Sequence, residues 1–158
     1  MANKVRLPMR IRNVQPKVFQ NYELDDAEAQ SGQPIFKTLV GLWCHADSEG
    51  RFVWDPRKLQ ALIFPYRQVE IDQILNVLLE QDIVRKYTVE DVEYGWLVTF
   101  KDYQYISKKE PRSILPAPSL ECYEKAPRAF PVRSMVLSTK EEGRSTQLAN
   151  HLETEEAR

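Results

Sequence analysis

Residues 43–52, WCHADSEGRF, bring together several residue types that can carry chemistry. Cys44, His45, Asp47 and Glu49 are of the kinds that bind metal ions or transfer protons. A zinc site needs four ligands, however, and the side chains of neighbouring helical residues point about 100° apart, so they do not readily face one ion. The stretch alone therefore does not make a metal site.

The other cysteine and histidine of the chain, Cys122 and His151, fall in a predicted tail, and no CxxC or HxxxH spacing occurs. We therefore predict no metal. Cys44 is expected to be a buried thiol, and His45 a helix-end imidazole that complements the helix dipole when charged. Two cysteines so far apart make no disulfide framework, which favours a reducing cytoplasm.

Motifs of enzymatic chemistry are missing from the sequence. It contains no Gly-x-Ser-x-Gly, no P-loop and no glycine-rich dinucleotide turn, and it has 5 glycines in total. The carboxylate pairs Asp25-Asp26 and Glu90-Asp91 fall in predicted surface turns, where solvated charge is the expected role. The sequence predicts a protein that is not an enzyme and has no cofactor.

Charge is unevenly distributed along a nearly neutral chain. There are 22 basic and 23 acidic residues, yet residues 1–20 hold five basic and no acidic ones. Residues 21–100 hold fourteen acidic against seven basic, and residues 101–140 hold eight basic against four acidic. An acidic middle with basic arms suits a nucleic-acid binder whose arms contact phosphates.

No apolar run is long enough to span a bilayer, and the N-terminus lacks the apolar stretch of a signal peptide. We expect a cytoplasmic protein with no membrane partner.

Hydrophobic spacing and capping residues predict a short sequence of elements. A basic arm broken by prolines precedes a short acidic helix capped by Asn21. The spacing then predicts a helix over 35–47, a strand at RFVW, a helix opened by Asp55-Pro56, a helix over 69–82, and a hairpin with the turn EDVE. Gly50 is expected to take a left-handed conformation.

This order of elements is typical of a winged helix-turn-helix. The predicted fold class is α+β, mainly α, with a three-helix core, a β-hairpin wing and an extended tail. We assign residues 1–33 to the basic arm and short helix, 34–103 to the winged-helix domain, and 104–158 to a proline-rich, largely extended or disordered tail.

Three stretches resemble a known family: KTLVGLWCHADSEGRFVWDPRKLQALIFPY, VEIDQILNVLLEQDIVRKY and WLVTFKDYQYISKKEPRSILPAP. They are similar to the N-terminal winged-helix domains of phage and prophage replication-initiation, or replisome-organiser, proteins. The family patterns are a GLW…AD.EGR helix end, an LFPY turn and a KKEP-S-IPAP tail, and the likeness covers about residues 14–118. It implies a winged-helix protein of phage or prophage origin that acts in DNA replication initiation.

This chain departs from the family pattern at two positions. Asp82 stands where the family usually has glycine after the third helix, and we expect it to tolerate the left-handed step. Tyr103 stands where the family usually has histidine, so no imidazole role is carried over to that position.

DNA, in duplex form, is the expected partner, with replication proteins or another host or phage protein as further partners. The helix over 69–82 is acidic, so the basic contacts must come mainly from other segments. The predicted DNA-binding residues are the basic and amide side chains of the arm, the helices, the wing and the tail: Arg10, Arg12, Lys17, Arg57, Lys58, Arg67, Gln68, Gln73, Asn76, Arg85, Lys86, Lys108, Lys109 and Arg112.

A second hypothesis starts from the same acidic helix. It could bind a protein partner, with the proline-rich tail docking in a groove of that partner. In this interpretation the chain is a phage-encoded adaptor or modulator of a host protein. The aromatics Tyr66, Tyr87, Tyr94, Trp96 and Tyr103 could stack on bases or line an interface, although core and cross-strand packing is their expected role.

Overall fold

The computed structural model describes residues 9–124 and has an α+β, mainly helical architecture with one small antiparallel sheet. A 3₁₀ helix at Pro16–Gln20 precedes the first α-helix. The remaining elements are α1 (Tyr22–Ser31), α2 (Ile35–His45), β1 (Arg51–Val53), α3 (Pro56–Ile63), α4 (Ile71–Glu80), β2 (Val84–Val89), β3 (Val92–Leu97), α5 (Phe100–Tyr103) and α6 (Leu120–Glu124).

Two predicted caps begin helices in the structure. The Asn21 side chain accepts a hydrogen bond from the Leu24 amide at the start of α1, at 3.2 Å. Asp55 accepts one from the Lys58 amide at 3.1 Å, and Pro56 occupies the first position of α3. Each cap satisfies an amide that has no partner within its helix. Both cap predictions are confirmed.

The core lies between α2, α3, α4 and one face of the sheet. The apolar stripe predicted for α2 is buried, from Ile35 to Ala46. On α4 the predicted face is buried from Ile71 to Leu78, while Leu79 is half-buried at its margin. These two helices present their apolar stripes to each other, as helical periodicity requires.

The sheet has the strand order β1-β3-β2, with both pairs antiparallel. In the middle of the sheet, Phe52 pairs with Gly95 and Gly95 with Lys86. The predicted hairpin is present, and its turn is two residues rather than the four of EDVE. Glu90 and Asp91 both have left-handed backbone, with φ of 50° and 63°, which suits a two-residue turn between twisted strands. We call this the wing turn.

The second strand of the hairpin is shorter than predicted. The pattern YGWLVTF predicts extended chain to Phe100, but β3 ends at Leu97, and Phe100 begins α5. Leu97 pairs with Val84, the first residue of β2, so there is no partner strand beyond it. Phe100 instead packs in the core beside Gly50, whose φ of 78° confirms the predicted left-handed turn.

The N-terminal arm also differs in part from its predicted extended form, because Pro16–Gln20 is a 3₁₀ helix. Asp82, after α4, has the expected left-handed backbone, with φ of 54°. Its carboxylate binds Arg85 at 2.7 Å, so the residue also anchors the start of β2. The predicted tail beyond residue 124, and the arm before residue 9, lie outside the described residues.

Gly95 leaves room for the Phe52 ring on the core face of the sheet, and a methyl group at Gly95 would collide with that ring. We expect Gly95→Ala to lower the free energy of unfolding by about 1–3 kcal/mol, the usual cost of overpacking. Urea denaturation measures this. Combining Gly95→Ala with Phe52→Leu should recover part of the loss. If the free-energy losses of the two single variants simply add in the double variant, the contact between position 95 and the Phe52 ring is contradicted.

Candidate nucleic-acid interface

The chemistry-bearing stretch after α2 is a structural turn organised by Asp47. This residue is 1% exposed, and its Oδ1 accepts hydrogen bonds from the amides of Glu49 and Arg51, each at 2.9 Å. Its Oδ2 accepts a hydrogen bond from the Ser113 hydroxyl. These hydrogen bonds fix the direction of the chain into β1. The Asp47 carboxylate is buried and is not accessible to a substrate.

Cys44 and His45 are poorly placed for metal or nucleophilic chemistry. Burial raises the pKa of the Cys44 thiol, which disfavours the reactive thiolate. Burial also lowers the pKa of His45, and the charge of Lys58 lowers it further, which favours the neutral imidazole. Within residues 9–124, no group of three or more His, Cys, Asp or Glu side chains is arranged to hold a metal ion.

A cluster of Arg10, Arg12 and Glu110 joins the N-terminal arm to the chain beyond α5. The Arg12 side chain is 4% exposed and binds Glu110 at 2.8 Å, and Arg10 binds the same carboxylate. Arg12 also donates to the carbonyls of Trp43 and Ala46, at 3.0 and 3.1 Å, in the last turn of α2. Carbonyls at a helix end lack helical partners, so a buried guanidinium is well matched to them.

Residues 113–122, which we call the strap, cross the sheet on the face opposite the core. Directly paired residues of an antiparallel sheet share a face, so Arg51, Trp96 and Arg85 form one row across all three strands. Arg51 donates to Leu115 O at 3.1 Å, and Arg85 donates to Cys122 O.

Tyr87, on the same face as this row, donates to Pro116 O at 2.8 Å. Tyr87 and Trp96 are therefore buried, while Tyr94 stacks on Tyr87 with 5.5 Å between ring centroids. Tyr103 is also buried and stacks on Trp43 at 5.7 Å. Of the five aromatics considered for base stacking, Tyr66 is the one that is fully accessible, at 99%.

Five of the fourteen predicted DNA-binding residues form side-chain hydrogen bonds or ion pairs inside the fold. Arg10, Arg12 and Arg85 take part in the contacts above. Lys86 binds Glu93 at 2.5 Å and lies over the Trp54 ring. Lys17 binds the Asp102 carbonyl and lies over the Tyr103 ring. Because these five side chains bind groups of the protein itself, they are less available to bind DNA.

The other nine residues fall on two surfaces. The first, which we call the helical surface, lies on α3, on α4 and on the turn between them, and comprises Arg57, Lys58, Arg67, Gln68, Gln73 and Asn76. The second, in the segment before the strap, comprises Lys108, Lys109 and Arg112. Lys58 is half-buried, and the other eight residues are exposed.

The helical surface is held by contacts at the turn between α3 and α4. Gln60 donates to the Arg67 carbonyl at 2.8 Å and to the Phe64 carbonyl at 3.3 Å. The Phe64 ring lies beneath two cations: Lys37 Nζ is 4.9 Å and Arg67 Cζ 5.3 Å from its centroid. Lys37 was missed from sequence, because an exposed lysine on α2 shows no sign of its proximity to this turn.

The second surface borders a concave region that we call the basic cleft, with a volume of about 670 Å³. Its walls are the turn after α2 and the chain from Gln104 to Ser113, and Lys101 also lines it. Tyr105, in this cleft, is 77% exposed. Sequence reasoning missed Tyr105, which was assigned to the tail, and Lys101, which stands at the end of the predicted winged-helix domain, because the segment around them has no periodicity.

Comparison with protein-family models, with curated proteins and with solved structures finds no match to this chain. None of the helices within residues 9–124 combines the length and the apolar character needed to cross a bilayer.

Glu110 is expected to stabilise the fold in a pH-dependent way. Hydrogen bonds from Arg12 hold its pKa below the ordinary value of 4.5, although burial opposes this. Because the folded-state pKa is the lower one, the stabilisation is complete above the unfolded-state pKa and is lost as pH falls through the folded-state pKa. We expect Glu110→Gln to cost about 1–3 kcal/mol at neutral pH.

Urea denaturation of the wild type and of Glu110→Gln, from neutral pH down through the folded-state pKa of Glu110, tests this expectation. The difference between their free energies of unfolding should shrink as pH falls. Glu121→Gln is the control, since Glu121 is exposed and should change stability little. A difference that is constant with pH, or equal for both variants, would contradict the role of the Glu110 charge.

Proposed function

We propose that this chain is a winged-helix DNA-binding protein of phage or prophage origin, without enzymatic activity, that acts in DNA replication initiation. The element order α2-β1-α3-α4-β2-β3 and the sheet order β1-β3-β2 support the winged-helix assignment. The phage origin and the replication role rest on the sequence resemblance over residues 14–118.

The observation that carries the proposal is the group of accessible polar side chains around the α3–α4 turn. In a helix-turn-helix, the residues at the start of the second helix contact base edges, and the first helix contacts the backbone. Arg67 and Gln68 precede α4, and Arg57 lies in the first turn of α3. Gln73 and Asn76 are exposed on α4 and have the amide groups that read an adenine edge.

The acidic residues of α4 have a structural reason that is compatible with this role. Glu70 and Asp72 lie at the N-terminus of α4, where negative charge stabilises the helix dipole. They reduce the net positive charge available to phosphates. We therefore expect duplex binding to depend on Lys37, Arg57, Lys58 and Arg67, with a modest number of released counterions.

A salt series tests this proposal with fluorescence anisotropy on labelled duplex DNA. Four phosphate contacts predict a slope of log K against log salt near −3.6, at about −0.9 per contact. The double variant Arg57→Ala with Arg67→Ala should make the slope shallower by about 1.8. Lys17→Ala is the matched control, because it removes a charge that is already used within the fold.

Absence of duplex binding even at low ionic strength would overturn the proposal. A slope that becomes shallower by about 0.9 for Lys17→Ala, the same change per removed charge, would instead exclude the helical surface as the specific contact site.

A second candidate function is an interaction module for a basic protein partner. It is favoured by exposed carboxylates on α4 and at the wing turn, together with the lack of any basic residue within Ile71–Glu80. The described part of the proline-rich segment is held on the sheet, so α4 would have to provide most of the contact.

Affinity capture with Glu70→Lys and Asp72→Lys tests this second candidate. It predicts a stoichiometric protein partner that the wild type retains and the charge-reversed variant loses. A wild-type sample that captures nucleic acid and no protein would contradict it.

A further inference from the structure

The basic cleft lies at the end of the sheet opposite the wing turn. Arg51 lines the cleft and pairs with Trp96, whereas Val53, at the other end of β1, pairs with Tyr94 on the side of the wing turn. The cleft is therefore separate from the wing, and the proposed helical surface does not include its residues. Nothing in the proposed duplex contact uses it.

Uncompensated positive charge distinguishes this cleft. Its two carboxylates already have cations: Glu49 binds Lys101 at 2.7 Å, and Glu110 binds Arg10 and Arg12. Lys108 and Arg112 also line it, and within the described residues neither has an acidic partner. Lys109 lies exposed beside them. An open basic cleft of this kind attracts an anionic ligand.

Tyr105 gives the cleft an aromatic surface on a rigid backbone. The neighbouring Gln104 is 4% exposed, and its side chain exchanges two hydrogen bonds with the Asn13 backbone, at 2.8 and 3.0 Å. The chain is fixed again at Glu110 by the arginine cluster. The backbone is thus anchored on both sides of Tyr105, and its ring is exposed to solvent, as a stacking platform requires.

The size of the cleft indicates which kind of anionic ligand it can hold. A volume of about 670 Å³ exceeds that of a single phosphate and lies in the range of ligand-sized clefts. A duplex is too wide to enter such a space, and its bases are stacked inside, out of reach of Tyr105. A single strand offers both phosphates and unstacked bases to one surface.

We propose that the basic cleft binds single-stranded DNA, with Lys108 and Arg112 contacting phosphates and Tyr105 stacking on a base. The choice of DNA rests on the proposed function, because a protein at an opening duplex meets both duplex and separated strands. The helical surface would contact the former and the cleft the latter.

Anisotropy with a labelled thymidine oligomer of about 12 nucleotides, compared with a duplex probe, tests this on the full chain. Tyr105→Ala should weaken single-strand binding about tenfold and leave duplex binding unchanged. Lys108→Ala with Arg112→Ala should make the single-strand salt slope shallower by about 1.4. Tyr66→Ala is the matched control, since it removes an exposed tyrosine outside the cleft. Circular dichroism of each variant verifies folding.

The outcomes separate this inference from the proposed function. Duplex binding without any single-strand binding overturns the cleft and leaves the proposed function standing. Single-strand binding that depends on Tyr105, without duplex binding, supports the cleft and overturns the duplex proposal. Equal losses for Tyr66→Ala and Tyr105→Ala, or no loss for either cleft variant, overturn the cleft as the site.

Discussion

The buried guanidinium of Arg12 makes the interactions that join the described part of the N-terminal arm to the segment before the strap. It binds carbonyls in the last turn of α2 and the Glu110 carboxylate, so one side chain links the arm, the core and the segment before the strap. A buried charge is stable only when it is paired and hydrogen-bonded, and these contacts supply both the ion pair and the hydrogen bonds that Arg12 requires. With Glu110 fixed, Ser113 reaches Asp47 and the strap continues across the sheet. The same fixation shapes the basic cleft.

Electrostatics divide the surface of the molecule. Carboxylates occupy the N-terminus of α4 and the wing turn, whereas exposed cations that form no ion pair within the described residues lie near the α3–α4 turn and at the cleft. A polyanion is repelled by the first set and attracted by the second. In the proposed winged helix, the wing turn is therefore unsuited to phosphate contacts, and the strap covers the outer face of the sheet. Nucleic acid is therefore expected to bind away from the wing turn.

Local features of this fold could be predicted from sequence, whereas contacts between distant residues could not. The caps at Asn21 and Asp55, and the stripes of α2 and α4, follow from neighbours within one or two helical turns. Arg12 and Glu110 are 98 positions apart, and Asp47 and Ser113 are 66 apart, with no periodicity to link them. The same holds for the candidate site. Its basic residues could be recognised in the sequence, but which of them form contacts within the fold depends on residues that are distant along the chain.

Single-stranded nucleic acid is expected to contact the basic cleft rather than α4 or the wing turn. An amide chemical-shift titration of labelled protein with a single-stranded oligomer locates the contact directly, residue by residue. The expected result is shifts concentrated at Glu49–Arg51 and at residues 101–113, with the wing turn unaffected. Shifts confined to α4 and the wing turn, with the cleft silent, would contradict it.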